Sequence, residues 1–263
     1  MRKAFTLSQK GKPKIIAGIP AYNVQTFIGN VVSGARKHVD EVVVVDDGST
    51  DKTEPVAKAA GAQVVKHNSN QGAGWATKSC FEAAKSKDAD VLITLDGDGQ
   101  HDPEEIPVLV APILEGNADL VIGSRFLNKQ CAIPRYRRFG IVVITSLYNF
   151  ASRVKVSDAQ SCYRAYSKEA LDTLNITEKG FGFSVQLLIQ ARRRGLIITE
   201  VPISCVYHEG SHSLNPVIHG LGVAFSVVKL RLIDRSSRLE KNKKTLSAGG
   251  HVGKHQIEKE PRH

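Results

Sequence analysis

Along the first half of the chain, short apolar runs alternate with longer stretches in which apolar residues recur every three or four positions. The runs are Lys14–Ile19, Glu41–Val45, Ala62–Val65, Val91–Leu95 and Asp119–Ile122. Each is too short for a buried helix and ends at turn-forming residues, so each predicts a strand. The intervening segments, 26–38, 52–60, 72–86 and 103–116, predict helices, with Gly61 stopping the second. Such alternation predicts parallel βαβ units and therefore an α/β fold, a mostly parallel sheet flanked by helices.

The second half reads less regularly. Phe139, Val143, Leu147, Phe150 and Val154 share one helical face and predict a helix over 136–154 with arginines at its start. Residues 158–166 read as a polar connection, 183–194 as a helix, and 196–207 as a strand carrying Pro202. A last stripe, Leu214, Val217, Leu221, Phe225, Val228 and Leu232, is edged by Lys229, Arg231, Arg235 and Arg238. It predicts an amphipathic helix suited equally to a membrane interface or to the protein's own core. Beyond Asn242 apolar residues nearly vanish, which predicts a disordered tail.

Polar residues cluster where the strands end. Tyr22 and Asn23, Asp46 and Asp47, Asn68 and Asn70, Asp96 and Asp98, and Ser124 and Arg125 follow the five runs in turn. Ligands of open α/β sheets bind beyond the carboxyl ends of the strands, so five converging clusters point to a nucleotide-type site on that edge. The sharpest is Asp96-Gly97-Asp98-Gly99-Gln100, two carboxylates and an amide on a glycine-softened turn, suited to a hard divalent cation. Asp102 follows as a helix N-cap and Pro103 as first helical residue, with Glu104 and Glu105 in the first turn.

Other motifs fit poorly. A calcium loop of the EF-hand kind needs glycine where His101 stands, and the phosphatase-like nucleophile strand of haloacid dehalogenases needs Thr or Val at Gln100. Gly72-Ala73-Gly74 lacks the final glycine of a dinucleotide fingerprint, with Thr77 in its place. His208-Glu209-Gly210-Ser211-His212 has zinc-protease spacing, but that chemistry needs a helix, and Gly-Ser inside with Pro216 just after oppose one.

Charge refines this picture. The 263 residues carry a net +10, and 120–157 contain no acid while Arg125, Lys129, Arg135, Arg137, Arg138, Arg153 and Lys155 fall within them. Such a field attracts phosphates. No recognisable nucleic-acid motif accompanies it, so a basic nucleic-acid-binding module is a rival reading and no nucleic-acid partner is expected. Four scattered cysteines with no CxxC pair predict no disulfide partner and a reducing compartment. With no export signal and no spanning run, a cytoplasmic location is expected.

Ile19-Pro20-Ala21-Tyr22-Asn23, Val45-Asp46-Asp47-Gly48-Ser49-Thr50-Asp51, Leu95 to Pro103 and Gly123-Ser124-Arg125 resemble, in order, the motifs of family 2 glycosyltransferases with the GT-A fold. Within that family the chain is most similar to the dolichyl-phosphate mannose synthase and glucosyltransferase group, over about residues 14 to 207. The resemblance implies inverting transfer of mannose or glucose from GDP-mannose or UDP-glucose to a polyprenyl (dolichyl-type) phosphate, at an anionic membrane surface on the cytoplasmic side. A soluble glycan or protein acceptor is the alternative. It implies that Pro20, Tyr22, Asn23, Asp47 and Asp96 bind the nucleotide sugar, and that Asp96, Asp98 and Gln100 hold Mg²⁺ or Mn²⁺. It further implies that Arg125, Arg137 and Arg138 hold the acceptor phosphate, with His208 standing where the family has an arginine. Asp98, Arg125 and Asp158 are the implied catalytic residues. Because a phosphate monoester is already anionic near neutrality, Asp158 suits an orienting role better than that of a base. Val24, Cys162 and Gln186 also depart from the family pattern. The expected organisation is an extension over 1–13, a GT-A domain over 14–212, a basic amphipathic helix over 213–240 and a tail over 241–263.

Overall fold

The computed structural model describes residues 11–127, 131, 133–150, 152 and 154–207. The expected C-terminal helix, the tail, His208 and all but the end of the N-terminal extension lie outside the described residues.

The first half follows the alternation closely. β1 (Ile15–Ala21), α1 (Ile28–Ala35), β2 (Glu41–Asp46), α2 (Thr53–Ala59), β3 (Gln63–Lys66), α3 (Ala73–Ser86) and β4 (Val91–Thr94) follow in order. A 3-10 turn, Pro103–Glu105, then leads into α4 (Ile106–Leu114) and β5 (Leu120–Ser124). Asp102 caps that turn as expected, its carboxylate accepting from the Glu104 N–H at 3.0 Å. After β5 come α5 (Arg135–Asn149), β6 (Arg164–Ser167), α6 (Lys168–Thr173), α7 (Phe183–Arg193) and β7 (Ile198–Pro202).

These strands form one sheet in the order β3-β2-β1-β4-β6-β5-β7. Pairings are parallel except for β6, which runs antiparallel to both β4 and β5. Alternate residues of β1 face opposite layers. Ile15, Ala17, Ile19 and Ala21 join α1 and α4 in the main core, whereas Gly18 faces α3, where a Cβ would stand 2.7 Å from that of Cys80. Helices therefore cover both faces, which is why the parallel strands read as unbroken apolar runs.

Two expectations need correction. The polar connection over 158–166 contains the start of β6. Its Arg164 is buried, with the guanidinium donating to the carbonyls of Ser184 at 2.7 Å and Ala159 at 2.9 Å. Tertiary partners thus take up both terminal nitrogens of a residue that local pattern assigns to solvent. The absence of a disulfide is also overturned: Cys131 and Cys205, 74 residues apart, are joined, tying the segment before α5 to the chain leaving β7. Cys80 and Cys162 remain free thiols. The cysteine-based argument for a reducing compartment lapses with that pairing.

Candidate active site

At the carboxyl ends of β1 and β2 the backbone is stitched across two loops. Asn23, at φ 53°, donates its N–H to Ser49 Oγ at 2.9 Å and accepts from the Thr50 N–H through Oδ1 at 2.9 Å. Asparagine is among the few side-chain-bearing residues that adopt this left-handed conformation readily. Tyr22 beside it is 46% exposed, and Pro20 closes the same strand.

The two aspartates after β2 have different environments. Asp47 is buried and fully engaged: Oδ1 accepts from the Gln71 N–H at 2.9 Å and meets His67 Nδ1 at 2.6 Å, and Oδ2 accepts from the Gly72 N–H at 2.8 Å. His67 Nε2 in turn meets Ser79 Oγ on α3 at 2.9 Å. Asp47 thus folds the 67–72 loop down onto the sheet edge. Asp46 accepts from the Ser49 N–H at 2.9 Å, and its buried Oδ2 has no hydrogen-bond partner. The uncommitted carboxylate oxygen of this pair belongs to Asp46, which the sequence reading placed in the cluster after β2 without assigning it to the nucleotide sugar. The imperfect dinucleotide motif has a packing cause, since a Cβ at Gly74 would meet the Glu178 carbonyl oxygen at 1.9 Å.

Beyond β4 the acidic turn is part-buried. Gln100 folds back on Asp98, with the backbone N–H reaching Oδ1 at 3.0 Å and the amide reaching Oδ2 at 2.5 Å. Partial desolvation at the sheet edge and the Asp98 charge push the Asp96 carboxyl up, against the pull of Arg125. Mutual repulsion of two carboxylates is relieved by a cation between them, and a donor set of carboxylate and amide oxygens fits Mg²⁺ or Mn²⁺. Among the described residues no group of three or more His, Cys, Asp or Glu side chains could hold a metal. An ion here would complete its shell with Gln100, ligand oxygens or water.

Behind the turn, His101 is buried, its ring 5.0 Å from that of Tyr163 and its Nδ1 accepting from the Asp96 N–H at 3.3 Å. Burial and the Arg125 charge push its pKa down to about 3, so the imidazole is neutral. The unfolded chain, with a histidine near 6.5, takes up a proton that the folded chain refuses, and stability therefore falls as pH drops below 6.5. His101 thus contributes a loss of about 3 kcal/mol between pH 6.5 and about pH 4, which the raised Asp96 carboxyl opposes, so unfolding in urea should show it as the difference in pH slope between the wild type and His101→Gln.

Across the edge, Arg125 leaves β5 and forks onto Asp158, with Nε to Oδ2 at 2.7 Å and Nη2 to Oδ1 at 2.9 Å. Asp158 is fully buried and also accepts from the N–H groups of Gln160 and Ser161. Burial acts against both charges, yet their attraction wins, raising the Arg125 pKa and lowering that of Asp158. Glu200 on β7 accepts from the Ser157 N–H at 2.7 Å and the Asp158 N–H at 3.1 Å, fixing this loop. Cys162, where the family pattern has glycine, is half-buried, and burial with the Asp96 charge keeps its thiol protonated.

The chain leaving β7 lies across both halves. Ile203 N–H donates to the Ser124 carbonyl at 3.2 Å, Ser204 N–H to Glu105 Oε1 at 2.8 Å and Val206 N–H to the Gln100 carbonyl at 3.1 Å. Tyr207 then accepts from Arg125 Nη1 at 3.4 Å and lies under Arg137, whose guanidinium is 5.1 Å from the ring. Arg138 instead lies over Phe126, at 5.4 Å. Of the basic residues expected to act together, Arg125 and Arg137 thus meet at Tyr207, Arg138 stands apart and His208 is outside the described residues. Glu200, Tyr207 and Cys205 carry no local sequence signal, because their partners lie far away along the chain.

The family model described as Glycosyl transferase family 2 matches residues 17–174. The chain is 31% identical to a UDP-N-acetylglucosamine–dolichyl-phosphate N-acetylglucosaminyltransferase of Methanococcus voltae, covering 81% of this chain and 94% of that one. It is 34% identical to a dolichyl-phosphate hexose transferase of Haloferax volcanii (81% and 92% covered). It is 33% identical to an undecaprenyl-phosphate mannosyltransferase of Micrococcus luteus (74% and 85%). Among solved structures, glucosyl-3-phosphoglycerate synthase from Mycobacterium tuberculosis, in complex with Mn²⁺, uridine-diphosphate-glucose and phosphoglyceric acid, superposes with a TM-score of 0.68 at 24% identity. That match covers 83% of this chain and 79% of the other, and it identifies the sheet as a GT-A fold.

Proposed function

Since this chain belongs to glycosyltransferase family 2 and is a glycosyltransferase, we propose that it moves a hexose, mannose or glucose, from a nucleotide sugar to a polyprenyl phosphate, with inversion and with a divalent metal. The carrying observation is that the Asp96/Asp98 turn and the Arg125–Asp158 fork share one sheet edge, close enough for the Arg125 charge to bear on Asp96. The names of the dolichyl-phosphate and undecaprenyl-phosphate relatives support the acceptor class.

In this reading Pro20, Tyr22 and Asn23 line the nucleotide, with Asp46 joining Asp47 on that side. Asp96, Asp98 and Gln100 would hold Mg²⁺ or Mn²⁺, which when bound would supply positive charge to offset that on the departing diphosphate. An oxygen of the acceptor phosphate attacks the anomeric carbon as the bond to the diphosphate breaks. The attacking oxygen is anionic near neutrality, so it needs positioning more than deprotonation. Arg125 and Arg137 supply that positioning, with Arg138 at the margin, and Asp158 acts by holding the Arg125 fork in one orientation. The phosphate of a lipid-linked acceptor brings the site to an anionic membrane surface, on the cytoplasmic side in this proposal. Among the described residues no helix is long and apolar enough to cross a membrane.

Incubation of the full chain with polyprenyl phosphate and GDP-mannose, UDP-glucose or UDP-N-acetylglucosamine, with and without Mn²⁺, tests the proposal. Sugar should appear in the lipid fraction with GDP-mannose or UDP-glucose, and only with the metal. Transfer confined to a soluble glycan or protein would overturn the acceptor assignment, and transfer confined to UDP-N-acetylglucosamine would overturn the donor assignment.

A further inference from the structure

Past β7 the chain stops being a strand and becomes a strap. Ile203 to Tyr207 crosses from the end of β5 to the acidic turn, held by three N–H groups: Ile203 on the Ser124 carbonyl, Ser204 on Glu105 and Val206 on the Gln100 carbonyl. Such bonds contribute little net once water competes for the same groups, and Val206 is 56% exposed. Segments held this way open locally. Yet this strap delivers Tyr207, whose hydroxyl accepts from Arg125 and whose ring lies beneath Arg137.

The firmer tie is covalent. Cys205 stands between Ser204 and Val206, the strap residues bonded to Glu105 and Gln100, and it is joined to Cys131. Cys131 in turn stands between Arg125, which leaves β5, and Arg135, where α5 begins. One bond therefore joins three arms: the strap with Tyr207, the segment that starts at Arg125, and the helix that carries Arg137. Its partners are 74 residues apart, and the loop it closes runs through α5, β6, α6, α7 and β7, so no local pairing replaces it.

We propose that the Cys131–Cys205 pair is a redox-set positioning clamp for sugar transfer. Oxidised, it holds the strap to the acidic turn and keeps Tyr207 on both Arg125 and Arg137, so that the two guanidiniums keep one spacing. Reduced, the strap rests on its hydrogen bonds alone, and the arginines lose the tyrosine that aligns them. The reductant is a dithiol. One of its thiolates attacks a sulfur of the pair, the S–S bond breaks and the released cysteine takes up a proton. The dithiol's second sulfur then displaces the other cysteine and closes a ring disulfide, so two electrons and two protons pass to the pair. The clamp stands on the position of the bond, and its effect on transfer rests on the acceptor reading given above.

The test equilibrates the full chain anaerobically with reduced and oxidised dithiothreitol in varied ratio and counts thiols by alkylation. Amide exchange and initial rates are then read at each ratio, after the dithiothreitol is removed. Of the four cysteines Cys80 and Cys162 are free, so the thiol count should rise from two to four as the ratio climbs. The Ser204 and Val206 amides should exchange roughly tenfold faster in the reduced protein. KM for a prenyl phosphate should rise about tenfold or more on reduction, while KM for the sugar nucleotide changes much less. Cys131→Ser/Cys205→Ser should match the reduced chain at every ratio, and reoxidation should restore the wild type alone. Four thiols at every ratio overturn the proposal, as do amide exchange and prenyl phosphate KM that ignore the ratio. A reduced chain that loses its circular-dichroism signal overturns it in favour of a purely structural bond. Amides that follow the ratio, in a protein that transfers to no prenyl phosphate in either state, uphold the clamp and overturn the acceptor reading alone.

Discussion

Asp98→Ala is expected to reduce metal-dependent sugar transfer by about a thousandfold or more, with little effect on the fold. Asp98 is part-buried at the tip of a turn, and its neighbour Gln100 donates to both of its carboxylate oxygens. Losing it removes one of the two carboxylates available to a cation and leaves Gln100 without the contact that orients it. A divalent ion stabilises departing diphosphate more than the ground state, so its loss falls on kcat as well as on binding. Initial rates with saturating donor across a Mn²⁺ titration decide the matter. Full metal-dependent activity in this variant would falsify the assignment of the turn. Asp98→Asn should fall between the two, since an amide keeps an oxygen donor but not the charge.

The second large effect is expected from Asp158→Ala, and here the fold suffers as well. Arg125 is nearly buried, at 13% side-chain exposure, and its partner carboxylate is fully buried. Removing one member of such a pair strands the other charge, at a cost of about 3–5 kcal/mol. Thermal unfolding should show the loss, and transfer should fall with it because the guanidinium loses its orientation. The double variant Arg125→Met/Asp158→Leu separates the two consequences. Replacing a buried pair by apolar residues relieves the stranded charge, so part of the stability should return, short of wild type because the Gln160 and Ser161 N–H groups lose their acceptor, while transfer stays lost. If the double variant recovered activity too, neither residue would belong to the chemistry.

The strands of the first half were legible because helices cover both faces of a parallel sheet, so its strands must be apolar throughout. The acidic turn was legible because glycine and aspartate together leave few alternatives. β6 was not, since a buried arginine whose terminal nitrogens meet the carbonyls of Ala159 and Ser184 looks in sequence like a solvated one. Asp46 and Asp47 are adjacent in sequence but differ in whether distant N–H groups reach them. Only the folded loop over 67–72 decides that Asp47 organises backbone while Asp46 keeps an oxygen unpartnered. The pairing of Cys131 with Cys205, and the meeting of Arg125 with Tyr207, are likewise products of topology. Helix ends drifted by a few residues, as in α1, which starts at Ile28 rather than near Thr26.

The insertion of β6 between β4 and β5 also governs the order of folding. β3, β2, β1 and β4 can pair as soon as they leave the ribosome, but β5 has no place in the sheet until Arg164–Ser167 arrives between it and β4. During synthesis the open edge of β4 therefore waits, on the order of seconds, for a strand encoded well downstream. A nascent chain holds its acidic turn early and brings Arg125 up to it late. Fragments ending before Arg164 would carry Asp96 and Arg125 without bringing them together, and would expose a β4 edge that invites intermolecular pairing.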